Sequence, residues 1–504
     1  MTLRAAAALS VLLLATVARA AQIGDALGPD RARLLLTRAG FAPGQEEIDR
    51  SASLSHGQAV DRLLATARTS AATPAPAWID DRLVTPRELR AMTDDERKLV
   101  RRTQIRNGIE LRGWWLREMT DTPSPLTERM TLFWHNHFVS AQPKVRYALL
   151  MYRQNLLLRQ HALGNFRELL HAVAKDPAML IYLDSATNRR GAPNENFARE
   201  VMELFTLGEG AYSEADVKEA ARAFTGWSID PATAAFMFRP RLHDDGEKTV
   251  LGTSGKLRGE DVLDILLAQP ATAEFIVRKL WREFVSPQPD SARVTDIAKR
   301  FRKSDFEIAV AVRELLLQPE VVQRSEDNAL VKSPVELVVG LLRQSQGAVT
   351  NPAALALGVA GMGQNLFAPP NVRGWPGGEA WINTQTLLAR KQFLERSVSA
   401  TMKTAVAPDP GALADVLDEV QTSAAGGGSV LRRLQQQAAP VQLDAGQWLT
   451  SLGGLHVERS VGEAGVRATA RQLLVLPPSN PLSSQMLGLD ALRAALLDPV
   501  YQLK

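Results

Sequence analysis

His135 and His137 stand one residue apart in "LFWHNHFVSAQPKV", in a chain that holds 7 histidines among 504 residues. Imidazole is a common ligand for divalent transition metals and the usual proton carrier near neutral pH. Two rings at this spacing meet one ion only from extended backbone, because on a helix they diverge by about 200°. A shared ion therefore requires the preceding helix to stop near Trp134, and Asn136 and Pro143 are compatible with a turn there. Helix capping and aromatic packing are the structural alternatives for the two rings.

A second set lies in "NENFAREVMELFTLGEG". Asn196, Glu200 and Glu203 follow i, i+4, i+7 spacing, which places an amide and two carboxylates on one helical face beside an apolar stripe of Phe197, Val201 and Phe205. Carboxylates next to a buried stripe need a cation or hydrogen-bond donors to stay charged. A divalent ion would serve, and so would Arg199 in a ladder with Glu195 and Glu203. The stretch "RPRLHDDGEK" adds His243, Asp244 and Asp245 in a turn. Together these groups suit a divalent metal whose identity stays open, nitrogen-rich sets favouring Zn2+ and oxygen-rich sets favouring Mg2+ or Ca2+. The alternative for the last stretch is a solvent-facing turn whose aspartates bond their own backbone.

The fourth set is "NVRGWPGGEAWIN", with Asn371, Arg373, Trp375, Trp381 and Asn383 around a Gly- and Pro-rich turn. Indole faces stack on apolar ligand faces, and a guanidinium grips carboxylate, phosphate or sulfate in two places. This reads as a substrate-binding loop for an envelope polymer or polysaccharide. The alternative is a rigid loop in which the two tryptophans plug the core and Arg373 caps a helix.

The elements that must position these residues are helical nearly throughout. Apolar residues recur at helical spacing over 26–39, 45–51, 94–118, 127–134, 147–161, 165–173 and 195–208, and again over 260–267, 271–284, 305–317 and 333–343. Ser213 with Asp216 three positions on reads as a capping-box variant. The pattern breaks around 228–258, where "AAFMFRPRLHDDGEKTVLG" predicts strands about a "DDG" turn. The fold expected is mainly α, a large helical array with a small strand-and-loop insertion. Its main body spans 22–400, and 401–504 forms a C-terminal helical appendage or a late-packing part of the same domain, with a Gly-rich tract at 425–429.

Residues 1–20, "MTLRAAAALSVLLLATVARA", have an early arginine, an apolar run and small residues near the end. They read as a secretory signal cleaved after Ala20, the run being short of the roughly twenty residues a spanning helix requires. The expected location is periplasmic or extracellular, with no integral membrane segment after cleavage. Zero cysteines exclude disulfides, thiolate ligands and iron–sulfur clusters. Lys+Arg of 59 against Asp+Glu of 55 is a near balance that marks no nucleic-acid surface. A metalloprotease helix, a phosphate loop and a dinucleotide fingerprint are all absent from the sequence.

The motifs "FWHNHF", "NENFAREVMELFTLGEG", "EAARAFTGW", "HDDGEKTVLG", "VKSPVELVVGLLR" and "LFAPPNVRGWPGGEAWINTQTLLAR" resemble those of a large bacterial family of exported proteins called domain of unknown function 1800. The resemblance extends from Phe133 to Arg390. It implies a common placement of the motif clusters and a partner among sulfatase-like exported proteins, but no reaction. Two functional expectations follow. One is a metal-dependent hydrolase of an envelope or extracellular polymer, with His135, His137, Glu200, Glu203, His243 and Asp244 as ligands. In it Glu200, Glu203 and Arg373 do acid–base and anchoring work, and Asn371, Arg373, Trp375 and Trp381 hold substrate. The other is a noncatalytic periplasmic scaffold or accessory protein with a structural cation.

Overall fold

The computed structural model describes residues 25–399 and 441–504. The leader at 1–20 and the Gly-rich tract at 425–429 lie outside the described residues. Helices dominate, as the apolar periodicity predicts, and among the described residues three short antiparallel strand pairs accompany them. Two of the pairs fall in the expected insertion: Trp227–Ile229 with Phe236–Phe238, and Lys248–Val250 with Thr253–Gly255. The "DDG" segment turns neither pair. It connects the short 3-10 turn Pro240–Leu242 to the strand that begins at Lys248.

The longest helix, Asp94–Asp121, opens with a capping box in which Thr93 N–H donates to Glu96 Oε2 at 2.7 Å. Its first half is largely exposed, while Trp114, Trp115, Leu116 and Met119 in its second half enter the core. Glu118 on the same half accepts from the backbone N–H of Ala72 (3.0 Å) and Thr73 (2.6 Å), and Trp114 Nε1 donates to Pro74 O (2.9 Å). A buried carboxylate can stay charged when backbone donors replace water. These contacts fasten the Pro- and Ala-rich stretch 71–77 to the helix.

The helix Pro125–His137 is buried on nearly every side, between two apolar clusters. One cluster takes its Met130, Phe133 and Trp134, together with Phe166, Phe205 and Leu280. The other takes Leu132, together with Trp115, Leu337, Phe367 and Trp375. A helix buried all round has no solvent face on which to place a charge, so its polar residues must find partners in the protein. Glu128 does so through Arg159 (2.5 and 2.9 Å) and Trp115 Nε1 (2.9 Å), tying three helices at one buried point. Arg129 pairs with Glu283 at 2.7 Å and with Glu336, which also takes Lys504.

Residues 441–504 share the second cluster. Trp448, Leu492 and Tyr501 pack there with Leu34, Trp115 and Val335. The segment 502–504 runs beside 330–332, with Lys332 N–H donating to Gln502 O (2.8 Å) and Lys504 N–H to Leu330 O (2.8 Å). Lys332 lies beneath the Tyr501 ring, 3.9 Å from its centre, and donates to Tyr501 O at 2.7 Å.

Candidate functional site

The helix does not stop at Trp134; it runs on to His137, so the two imidazoles point into different cores. His135 is packed edge-on against Trp115 and Phe367, with ring centres 5.3 and 5.2 Å away, and its Nε2 accepts from the backbone N–H of Phe367 at 3.3 Å. Burial lowers its pKa to about 3, so the ring is neutral, as an acceptor nitrogen requires. His137 stacks on Phe133 and meets Phe138 edge-on; its Nε2 meets Phe205 O at 3.1 Å and its Nδ1 accepts from Lys279 Nζ at 2.8 Å. Burial, and then the Lys279 charge, hold its pKa well below 6.5. Both ring nitrogens of His137 are thus engaged, with Nε2–H donating to the carbonyl.

Between them, Asn136 makes the contact the sequence reading missed. Its Oδ1 accepts from Trp375 N–H at 2.7 Å and its Nδ2 donates to Trp375 O at 3.3 Å. Gly374 is required beside it: its φ is +80°, and a Cβ there would lie 2.2 Å from Asn136 Oδ1. Phe367, at φ 59°, turns the start of the same loop and donates to His135. His-Asn-His is therefore a clamp, two residues holding the loop 366–375 and the third holding the end of the helix that carries the glutamates.

That second helix begins as α-helix over Asn196–Glu200 and widens into a π-turn over Val201–Thr206. Such turns recur at functional sites because the extra residue re-aims side chains. Glu203 Oε1 accepts from Arg373 Nη2 at 2.8 Å and its Oε2 from Tyr212 Oη at 2.9 Å. Arg373 also reaches Glu209 at 2.9 Å, and its side chain remains 62% exposed, which places this group at the surface. Arg199, expected as a neutraliser of Glu203, instead pairs with Glu214 (2.6 Å) and Glu195 (3.2 Å). Asn196 donates to Asp184, which also pairs with Lys144 at 2.8 Å. Glu200 differs from its neighbours, since among the described residues its carboxylate has no hydrogen-bond or ion-pair partner. Partial burial, with the nearby Glu203 charge, raises its pKa, while Arg373 opposes the shift. Tyr182 is shifted upward as well, by burial and by Glu200.

The third expected cluster forms a separate clasp. His243 is buried, and its Nδ1 donates to Thr225 O at 2.9 Å. Asp244 accepts from Arg222 Nε at 2.9 Å and from Gly246 N–H at 3.0 Å, and the Arg222 bond, foremost, holds its pKa down to about 2. Asp245 pairs with Arg190 at 3.3 Å. In the fourth motif Trp375 and Trp381 are buried in the second core, so their faces are not offered to a ligand. Asn371 Oδ1 accepts from Arg373 N–H (2.9 Å), and Asn383 Oδ1 accepts from Thr386 N–H (2.9 Å), the latter at the start of the helix Thr384–Ser399. Arg373, expected as a helix cap in the structural alternative, sits in the ion pairs just described.

The structure brings together Glu200, Glu203 and Arg373, and it sends His135 and His137 apart. The expected convergence of histidines and carboxylates is not found. Among the described residues, no group of three or more histidine, aspartate or glutamate side chains could hold a metal ion. The residues expected as ligands therefore do not fit one metal centre. Clefts of about 180 and 460 Å3 beside Glu47, Arg50 and Pro123 are lined by none of the expected site residues.

Fold and site together define a mainly helical protein with a buried histidine–asparagine clamp beneath a charged surface. The chain belongs to the family described as protein of unknown function (DUF1800), whose model matches residues 34–503. No curated protein and no solved structure matches it. Among the described residues, no helix is long and apolar enough to cross a membrane.

Proposed function

We propose that this chain is an exported, noncatalytic accessory protein that docks a protein partner through the surface of Glu200, Glu203, Glu209 and Arg373. The observation that carries the reading is the use made of His135, Asn136 and His137. Their polar atoms hold the Arg373 loop and the glutamate-bearing turn in fixed positions, which supports a preformed platform. The platform alternates charge, Lys144 with Asp184, Arg199 with Glu195 and Glu214, and Arg373 with Glu203 and Glu209. Mixed charge suits electrostatic matching to another protein. The burial of Trp375 and Trp381 removes the stacking faces that a polysaccharide would use. The partner class is the sulfatase-like exported protein that family membership implies.

The test is calorimetric titration of the tag-free chain against such a protein encoded by the same genome. A saturable complex is expected, weakened about tenfold or more by Arg373→Glu with melting unchanged. Failure to associate, or equal affinity with the reversed charge, overturns the reading.

One observation favours a second reading. The unpaired, upward-shifted carboxyl of Glu200 is suited to general-acid work in hydrolysis of an envelope polymer. On that reading Glu200→Gln loses turnover of cell-wall or capsular polymer while the fold and polymer binding persist.

A further inference from the structure

The amine of Lys279 is placed unlike an ordinary surface lysine. It belongs to the helix Pro270–Phe284 and is partly buried. Its Nζ lies 2.8 Å from His137 Nδ1 and 5.2 Å from the centre of the Phe275 ring. Among the described residues no carboxylate pairs with it, and the charged group that bears on it is Arg282, of the same sign. Lysines normally meet acids; this one meets a neutral imidazole, an aromatic face and a second cation.

The imidazole is itself oriented. His137 Nε2–H donates to Phe205 O at 3.1 Å, which fixes the tautomer and leaves Nδ1 as the acceptor facing the amine. Amine, imidazole and orienting carbonyl thus form one hydrogen-bonded chain, an arrangement that recurs around activated nucleophiles. Burial, followed by the Arg282 charge, brings the Lys279 pKa down to about 8. Once neutral, the amine donates one N–H to Nδ1, and its lone pair is turned away from the imidazole.

We propose that Lys279 is a nucleophilic lysine that captures a small carbonyl compound bearing a carboxylate, as an imine, with His137 as its positioning residue. The Nζ lone pair forms a bond to the carbonyl carbon while the C=O π electrons move to oxygen. The oxygen takes up the proton that Nζ gives up, which yields a carbinolamine, while His137 Nδ1 holds the amine by its remaining N–H. The hydroxyl then departs with the second Nζ proton as water as C=N forms. One water is released and nothing is oxidised or reduced. Arg282 supplies the positive charge that favours the carboxylate.

The experiment treats the full chain with glyoxylate and cyanoborohydride, which reduces any imine to a stable secondary amine, and maps adducts by peptide mass spectrometry across pH. At about pH 7.5 Lys279 is expected to label about tenfold faster than exposed Lys98 and Lys303, with a midpoint near pH 8. Uncharged glycolaldehyde should label it more slowly than glyoxylate does. His137→Gln leaves in place the burial and the Arg282 charge that set the midpoint, so it should remove the rate preference for Lys279 at an unshifted midpoint, with Lys98 labelling unchanged. If that variant fails to fold, the pH profile of the native chain still decides. Absence of an adduct at Lys279, or labelling at the rate and midpoint of Lys98, overturns the proposal.

Discussion

Acidification should unfold this protein through the clamp, and His135 gives the magnitude. Its folded pKa is about 3 against 6.5 in an unfolded chain, because protonation would place a charge among Trp115, Phe367 and Trp375 and would remove the acceptor used by Phe367 N–H. A group whose folded pKa is depressed binds protons more readily when unfolded, so its contribution is complete above 6.5 and is lost as pH falls. At about pH 5 the loss from His135 alone is about 2 kcal/mol, and it approaches roughly 4–5 kcal/mol below about pH 3. His137 acts in the same direction, with its shift caused by burial first and by Lys279 second. The assay is urea unfolding followed by the fluorescence of the 9 tryptophans at a series of pH values, for the wild type and His135→Gln. The glutamine keeps an acceptor but does not titrate. Carboxylates common to both chains cancel in the comparison, so between about pH 6 and 4 the wild type should lose stability more steeply by about 1 kcal/mol per pH unit. Parallel curves for the two chains would falsify the buried, neutral state assigned to His135.

Asn136→Ala removes both bonds to the Trp375 backbone and should lower stability by about 1–3 kcal/mol, with faster amide exchange confined to 366–375. Gly374→Ala should be similarly harmful, since its Cβ would strike Asn136 and its φ is +80°. Glu128→Gln breaks a fully buried ion pair with Arg159 and leaves a guanidinium uncompensated, so a loss of about 3–5 kcal/mol is expected in thermal or urea unfolding. Lys332 has a pKa brought down to about 7, by burial first and Arg33 second, so native stability should rise as pH climbs from there toward 10.5. Lys332→Met should flatten that rise, and an unchanged slope in the same urea assay would refute the assignment.

Much of the fold was legible because helix formation leaves local marks. The helix of 94–118, the Ser213–Asp216 box and the break after 227 all appear in the structure, near the expected positions. The candidate site was legible in its chemistry and not in its geometry. Glu200 and Glu203 share a helix, so spacing alone placed them together. Arg373 lies 170 residues from Glu203, and Lys279 lies 142 from His137; no local pattern connects either pair. The π-turn also escaped, because a single widened turn barely changes the apolar period.

By itself the sequence determined a helical chain without thiol chemistry, the faces of its helices, and the polar residues that those faces cannot bury alone. Only the tertiary structure decided what became of the histidines. Packing Pro125–His137 between two cores leaves each backbone N–H without water, and Phe138 N–H bonds Trp134 O at 2.7 Å, so the helix persists past the point where the rings could have converged. Once the helix continues, the turn of nearly 200° between alternate residues sends His135 to one core and His137 to the other. The same pair of residues that spacing offered to a metal is thereby given to the loop and the π-turn.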